Sequence, residues 1–292
     1  MYREYDAVAD GNTVYIRTED TVTLYSYDVT SDSWSQLPDC VHPNGSLAIV
    51  NGLLITVGGG HYPAYSSELF SLTKEGSSRR WTKKFPPMLT KRCGVTSLCT
   101  VTTLIVAGGR GKGGKGLSTV EVMDTETHRW STAADLPAPI SGASVTVCGD
   151  LLYLLGGTVG SLYVKSAYTC SVSALLQSCD SSSLWKMLSK SKAGPGVWRQ
   201  VADLPVVQST CESFHGRLLA IGGKNLGKST TAVYMYDSTT NSWEIISHMT
   251  TGRCDCFTAV LPENRLMVVG GYAGDDFRTL TDMVELATRC GD

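Results

Sequence analysis

The chain has 292 residues, 42% of them hydrophobic, which is enough apolar material for a sizeable core and excludes general disorder. Twenty-five basic against 27 acidic residues leave a formal net charge of −2, so the overall charge gives no case for nucleic acid or an anionic membrane as partner. No run reaches the ~20 apolar residues of a membrane-spanning helix, and Met1-Tyr2-Arg3-Glu4-Tyr5 has no signal-peptide core. The ten cysteines, several inside apolar runs, read as reduced thiols of a cytoplasmic protein; a trimmed secreted domain with a Cys170–Cys179 bridge is the alternative.

In chain order, the first predicted strand with a recurring counterpart is Asn12–Thr18. Its later copies end in paired glycine: Leu53–Gly59, Leu104–Gly109, Leu151–Gly157, Leu218–Gly223 and Leu266–Gly271. From one second glycine to the next the steps are 50, 48, 66 and 48 residues. Each copy is preceded by a short strand such as Ala143–Val147 and followed by an aromatic run such as Thr23–Tyr27 or Ala232–Tyr236. A tryptophan segment comes next, at Trp34, Trp81, Trp130, Trp198 and Trp243. Each unit therefore holds four short strands, a to d, bounded by turn residues. The glycines are expected to supply positive φ or close backbone approach, and the tryptophans to be architectural. Helical character is expected only near Ala174–Gln177.

A four-stranded repeat of roughly 50 residues is the Kelch signature. The Gly-Gly pairs closing strand b, the aromatics Tyr27, Tyr168 and Tyr236 on strand c and the strand-d tryptophans resemble the Kelch family over nearly the whole chain. The resemblance implies one all-β domain over 1–292, a six-bladed β-propeller of four-stranded blades. Their approximate bounds are 1–40, 41–89, 90–138, 139–206, 207–250 and 251–292. Residues 178–196 form an insertion in the fourth repeat, holding Trp185. The last repeat ends without a tryptophan strand, so the last blade is expected to lack strand d within this chain. The completing strand is expected upstream of Met1.

Little in the chain points to chemistry. Gly109 and Gly114-Lys115 have phosphate-loop spacing, but Gly116 stands where Ser or Thr should, and a strand rather than a helix follows; a mobile basic loop is expected. Cys254-Asp255-Cys256, read as strand, places both thiols on one face without a second metal-ligand pair nearby, so packing is the better reading. Galactose oxidase shows that this fold class can carry a copper site, but no positions here match its ligands, and neither catalytic residues nor a cofactor is assigned.

The expected function is protein binding. Connections b–c and d–a emerge on one face of the disc. They carry Arg3, Lys91, Arg92, Arg110, Lys112, Lys115, Lys165, Lys224, Lys228 and Arg253, with Tyr62, Tyr65, Tyr163, Tyr272 and Phe277 as aromatic contacts. In Kelch-type substrate receptors of ubiquitin ligases this face binds partner peptides. By resemblance, Arg92, Arg253 and Arg3 would pair with carboxylates or phosphates of an acidic or phosphorylated segment. The alternatives are a carbohydrate- or copper-dependent oxidase, and a structural propeller that self-associates by strand exchange; otherwise a monomer is expected.

Overall fold

The structure is a computed structural model that describes residues 6–17, 22–179, 197–263, 265–273, 276–277 and 281–284. Nearly all regular structure is antiparallel sheet, because β-branched and aromatic runs are cut every few residues by turn residues. Five sheets have four strands each, paired in chain order from the inside out. The first is made of Asp6–Asp10, Thr13–Arg17, Leu24–Asp28 and Ser33–Leu37. The innermost strands of the next four are Ser46–Val50, Thr96–Cys99, Ser144–Cys148 and Thr210–Phe214. A further sheet of three strands, Phe257–Leu261, Arg265–Val269 and Thr281–Val284, follows in sequence. Each innermost strand lies beside the next, and Asp6–Asp10 lies beside Phe257–Leu261, so the ring closes. The chain is an all-β propeller.

A single sheet cannot bury both of its apolar faces, and here each pair of neighbouring sheets shares its own cluster. Ile105, Val120 and Val122 meet Leu152 and Leu154 between the third and fourth sheets. Across the closure, Val14 and Ile16 of the first sheet meet Ala259, Leu261, Met267 and Val269. The outer strands are tied by a repeated bond. The indole Nε1–H of Trp81 donates to the Pro38 carbonyl (3.2 Å), Trp130 to Pro86 (3.0 Å), Trp198 to Ala134 (3.2 Å) and Trp243 to Ala202 (3.0 Å). Each bond reaches back to the preceding sheet. Trp34 of the first sheet is 51% exposed and leans on Tyr27 at 4.8 Å.

The paired glycines meet both expectations. Gly59 has φ +104°, and a Cβ there would sit 2.5 Å from the Pro43 carbonyl oxygen. Only glycine fits. The helical expectation also holds. Val172–Gln177 is a helix whose Ala174 N–H is capped by the Ser171 hydroxyl, and Leu175 is buried in the adjoining core. Most of the insertion, with Trp185, lies outside the described residues.

One local reading is corrected. Cys254-Asp255-Cys256 is not a strand: Asp255 has φ +51°, which breaks the alternation that would put both thiols on one face. Both cysteines are buried, and burial pushes the Cys256 thiol up to about 12. Among the described residues no cluster suited to a metal ion occurs, and Cys170 and Cys179 are both thiols.

Candidate partner-binding face

The central axis opens as a cavity of about 390 Å³. Its walls are the innermost strands, and its mouth lies on the face where the d–a connections end. The residue two positions before an innermost strand is left-handed in five successive sheets: Asn44 (φ 57°), Gly94 (56°), Gly142 (61°), Gln208 (58°) and Asp255 (51°). All five line the cavity. Turning the backbone there lets the N–H of Gly94 donate to the Asn44 carbonyl (2.8 Å), Gly142 to Gly94 (3.0 Å) and Asp255 to Gln208 (2.9 Å). The mouth is thus framed by a hydrogen-bonded collar, across which the Gln208 amide donates to the Asp255 carboxylate. Sequence reasoning missed the collar. Its signal was the recurrence of Asn, Gly and Asp, residues that tolerate positive φ, at one register position.

Inside, Glu212 bridges three strands, accepting from the Ser213 N–H (2.9 Å) and the hydroxyls of Thr146 (3.3 Å) and Thr258 (3.2 Å). Desolvation raises its pKa above the usual carboxylate range, and these three donors partly offset the rise. Arg17 also lines the cavity, but its Nη2 donates to the Gly45 carbonyl (2.6 Å) beside Asp6, 3.9 Å away.

Around the mouth stand small hairpins built on the b–c connections: Gly60–His61 with Ala64–Tyr65, Thr158–Val159 with Leu162–Tyr163, Lys224–Asn225 with Lys228–Ser229, and Tyr272–Ala273 with Asp276–Phe277. The third sheet has a 3₁₀ turn at Lys112–Gly114 instead. The basic loop expected to be mobile is pinned, since Arg110 pairs in bridges with both Cys93 and Gly116. Neighbouring connections hold one another. Arg110 reaches the Gly160 carbonyl at the next hairpin tip (2.7 Å), and the Ser229 hydroxyl donates to the Tyr272 carbonyl (3.1 Å).

This arrangement sorts the residues expected to bind a partner. Lys91, Lys112, Lys115, Lys165 and Lys228 are exposed, Lys224 and Tyr272 half-buried, Tyr62 64% and Tyr163 37% exposed. Tyr163 also reaches the cavity wall. Tyr65 is buried, so its ring offers no surface contact. Arg110 is half-buried and engaged as described.

Arg92 and Arg253 are corrected outright. Both are fully buried. The Arg92 guanidinium pairs with Glu121 (2.5 Å) and donates to the carbonyls of Gly108 (2.8 Å) and Thr119 (3.0 Å); Arg253 donates to the Gly270 carbonyl (2.7 Å). These long side chains turn inward because the carbonyls at the glycine pairs need donors once removed from water. Arg3 and the Phe277 side chain lie outside what is described.

Four exposed apolar side chains on these connections were not foreseen: Val41 (40% exposed), Leu89 (59%), Leu162 (71%) and Leu226 (97%). Leu226 and Gly227 form the two-residue loop of their hairpin with φ 47° and 81°. A type I′ turn demands positive φ at both positions and favours Asn-Gly. Leucine there costs on the order of 1 kcal/mol, with no burial in return.

A Kelch motif matches residues 91–137 and 205–250. Kelch-like protein 26 of Danio rerio is 25% identical over 276 residues, covering 90% of this chain and 42% of its own length. Kelch-like protein 25 of Xenopus tropicalis is 24% identical, covering 84% and 41%, and the Kelch repeat and BTB domain-containing protein 2 of Cowpox virus (strain Brighton Red) 24%, covering 78% and 41%. The propeller carries Kelch motifs and is similar to Kelch-like proteins along most of its length. It spans about two fifths of the length of these Kelch relatives. The solved structure of YjhT superposes with a TM-score of 0.72 over 97% of this propeller and 93% of that chain, at 15% identity, a likeness of fold.

Proposed function

We propose that this Kelch propeller is a non-enzymatic, cytoplasmic protein-interaction module that binds an acidic or phosphorylated partner segment on the b–c/d–a face. In this reading it is the substrate-recognition part of a larger protein, in keeping with a relative whose name joins Kelch repeats to a BTB domain. The reading takes 1–292 as one domain and the three-stranded sheet as a sixth blade. The observation that carries it is the convergence on one face of exposed Lys91, Lys112, Lys115, Lys165 and Lys228, in a chain of near-neutral net charge, with exposed Tyr62 and Tyr163 around an open mouth. Exposed cations add on-rate and selectivity for an acidic segment, while the aromatic rings supply contact area.

The test compares two multiple variants against fluorescent peptides selected on the immobilised wild-type chain from a random 12-residue phage library. Lys112→Ser/Lys115→Ser/Lys228→Ser removes charge from the proposed face; Lys74→Ser/Arg217→Ser removes it from exposed positions on the opposite side. The first should weaken binding at least about tenfold and flatten its dependence on salt. The second should bind as wild type. Equal behaviour of the two, or no peptide enrichment, overturns the proposal.

A further inference from the structure

The exposed leucine at the fifth sheet's hairpin tip breaks a local rule without structural gain. Of the two-residue loops on this face, Gly160-Ser161 meets its left-handed position with glycine, at φ 63°. Leu226-Gly227 puts leucine in the equivalent conformation, at φ 47°. Among the described residues nothing covers the side chain, which is 97% exposed. Asparagine would relieve the backbone and suit water better. Residues that violate local preference without compensation cluster at functional sites. The same hairpin carries Lys224 and Lys228 on either side of the tip. The neighbouring hairpin presents exposed Leu162 and Tyr163.

We propose that Leu226 is an apolar anchor of the binding face, and that the partner segment carries a bulky apolar residue flanked closely by Asp or Glu. The segment's apolar side chain packs on Leu226, and its carboxylates meet Lys224 and Lys228. The chemistry follows from charge complementarity: leucine supplies contact area once water is excluded, and the two lysines repel basic sequences. This inference rests on the proposed binding face and specifies what that face selects.

The experiment measures stability and binding in one substitution. Leu226→Asn installs the Asn-Gly pair the turn prefers, so its Tm should rise by about 1–3 °C. The same change should weaken the library-selected peptides about tenfold or more, whereas Leu226→Met should stay within about twofold. Sequencing the selected pool should show a bulky apolar residue within two or so positions of Asp or Glu. If Leu226→Asn binds as wild type while the triple lysine variant does not, the anchor is refuted and the face survives. If both variants bind as wild type, the face falls too. A drop in Tm for Leu226→Asn refutes the strain argument by showing that the leucine supports the fold.

Discussion

Single side chains divide here between those that hold the ring and those left at the surface, and residue type alone did not separate them. Arg92 and Arg253 precede innermost strands on d–a connections, Arg92 directly after exposed Lys91, yet their guanidiniums are spent on carbonyls at the glycine pairs and, for Arg92, on Glu121. Desolvation lowers the Arg92 pKa while the carboxylate holds it up. Arg92→Ala would leave Glu121 buried without its cation, and should cost about 3–5 kcal/mol, read by urea denaturation. A role at the surface would leave stability unchanged. Glu212 makes a second prediction. Its folded pKa lies above the ordinary 4.5, so the native state holds its proton longer than the unfolded chain does. Stability contributed by that proton is full below about pH 4.5 and declines as pH rises through the folded value. Glu212→Gln should flatten this decline in a series of melting curves. An unchanged slope between pH 4 and 8 would show that another group is responsible.

At the level of elements, the strands were legible because their signals are local: β-branched runs, paired glycines and a tryptophan at regular spacing. The b–c hairpins were not. Gly60–Tyr65 and Lys224–Ser229 are only six residues each, with two-residue strands too short for alternation to show. The collar was hidden for another reason: Gln208 interrupts the recurrence of Asn, Gly and Asp at its register position, and that recurrence is its one mark in the sequence. The strand-d tryptophans were read correctly as architecture, but the carbonyls they reach lie 41 to 64 residues away, beyond any local pattern. Trp130→Phe keeps the ring and deletes the bond to Pro86. It should cost about 1 kcal/mol, lowering Tm by about 2–4 °C in differential scanning calorimetry. No change would mean that the indole N–H finds water equally well.

For the whole molecule, the repeat period was enough to expect a propeller, because stacked sheets bury what one sheet cannot. What the period does not encode is how the two ends of the ring meet. That contact is made by Val14 and Ile16 against Ala259, Leu261 and Met267, residues far apart in the chain. Ile16→Ala should cost about 2–5 kcal/mol. Because the closure belongs to the whole ring, the loss should appear as a shift of one cooperative unfolding transition. Separate melting of the first sheet would instead show that the ring does not depend on this seam.

The direction of the indole bonds bears on how the chain is made. Every one of them runs from a later sheet to an earlier one, so each bond can form once the later sheet has left the ribosome, whereas the seam between first and last sheets needs the whole ring. A nascent chain halted before Trp130 would leave the Pro86 carbonyl without the indole that caps it.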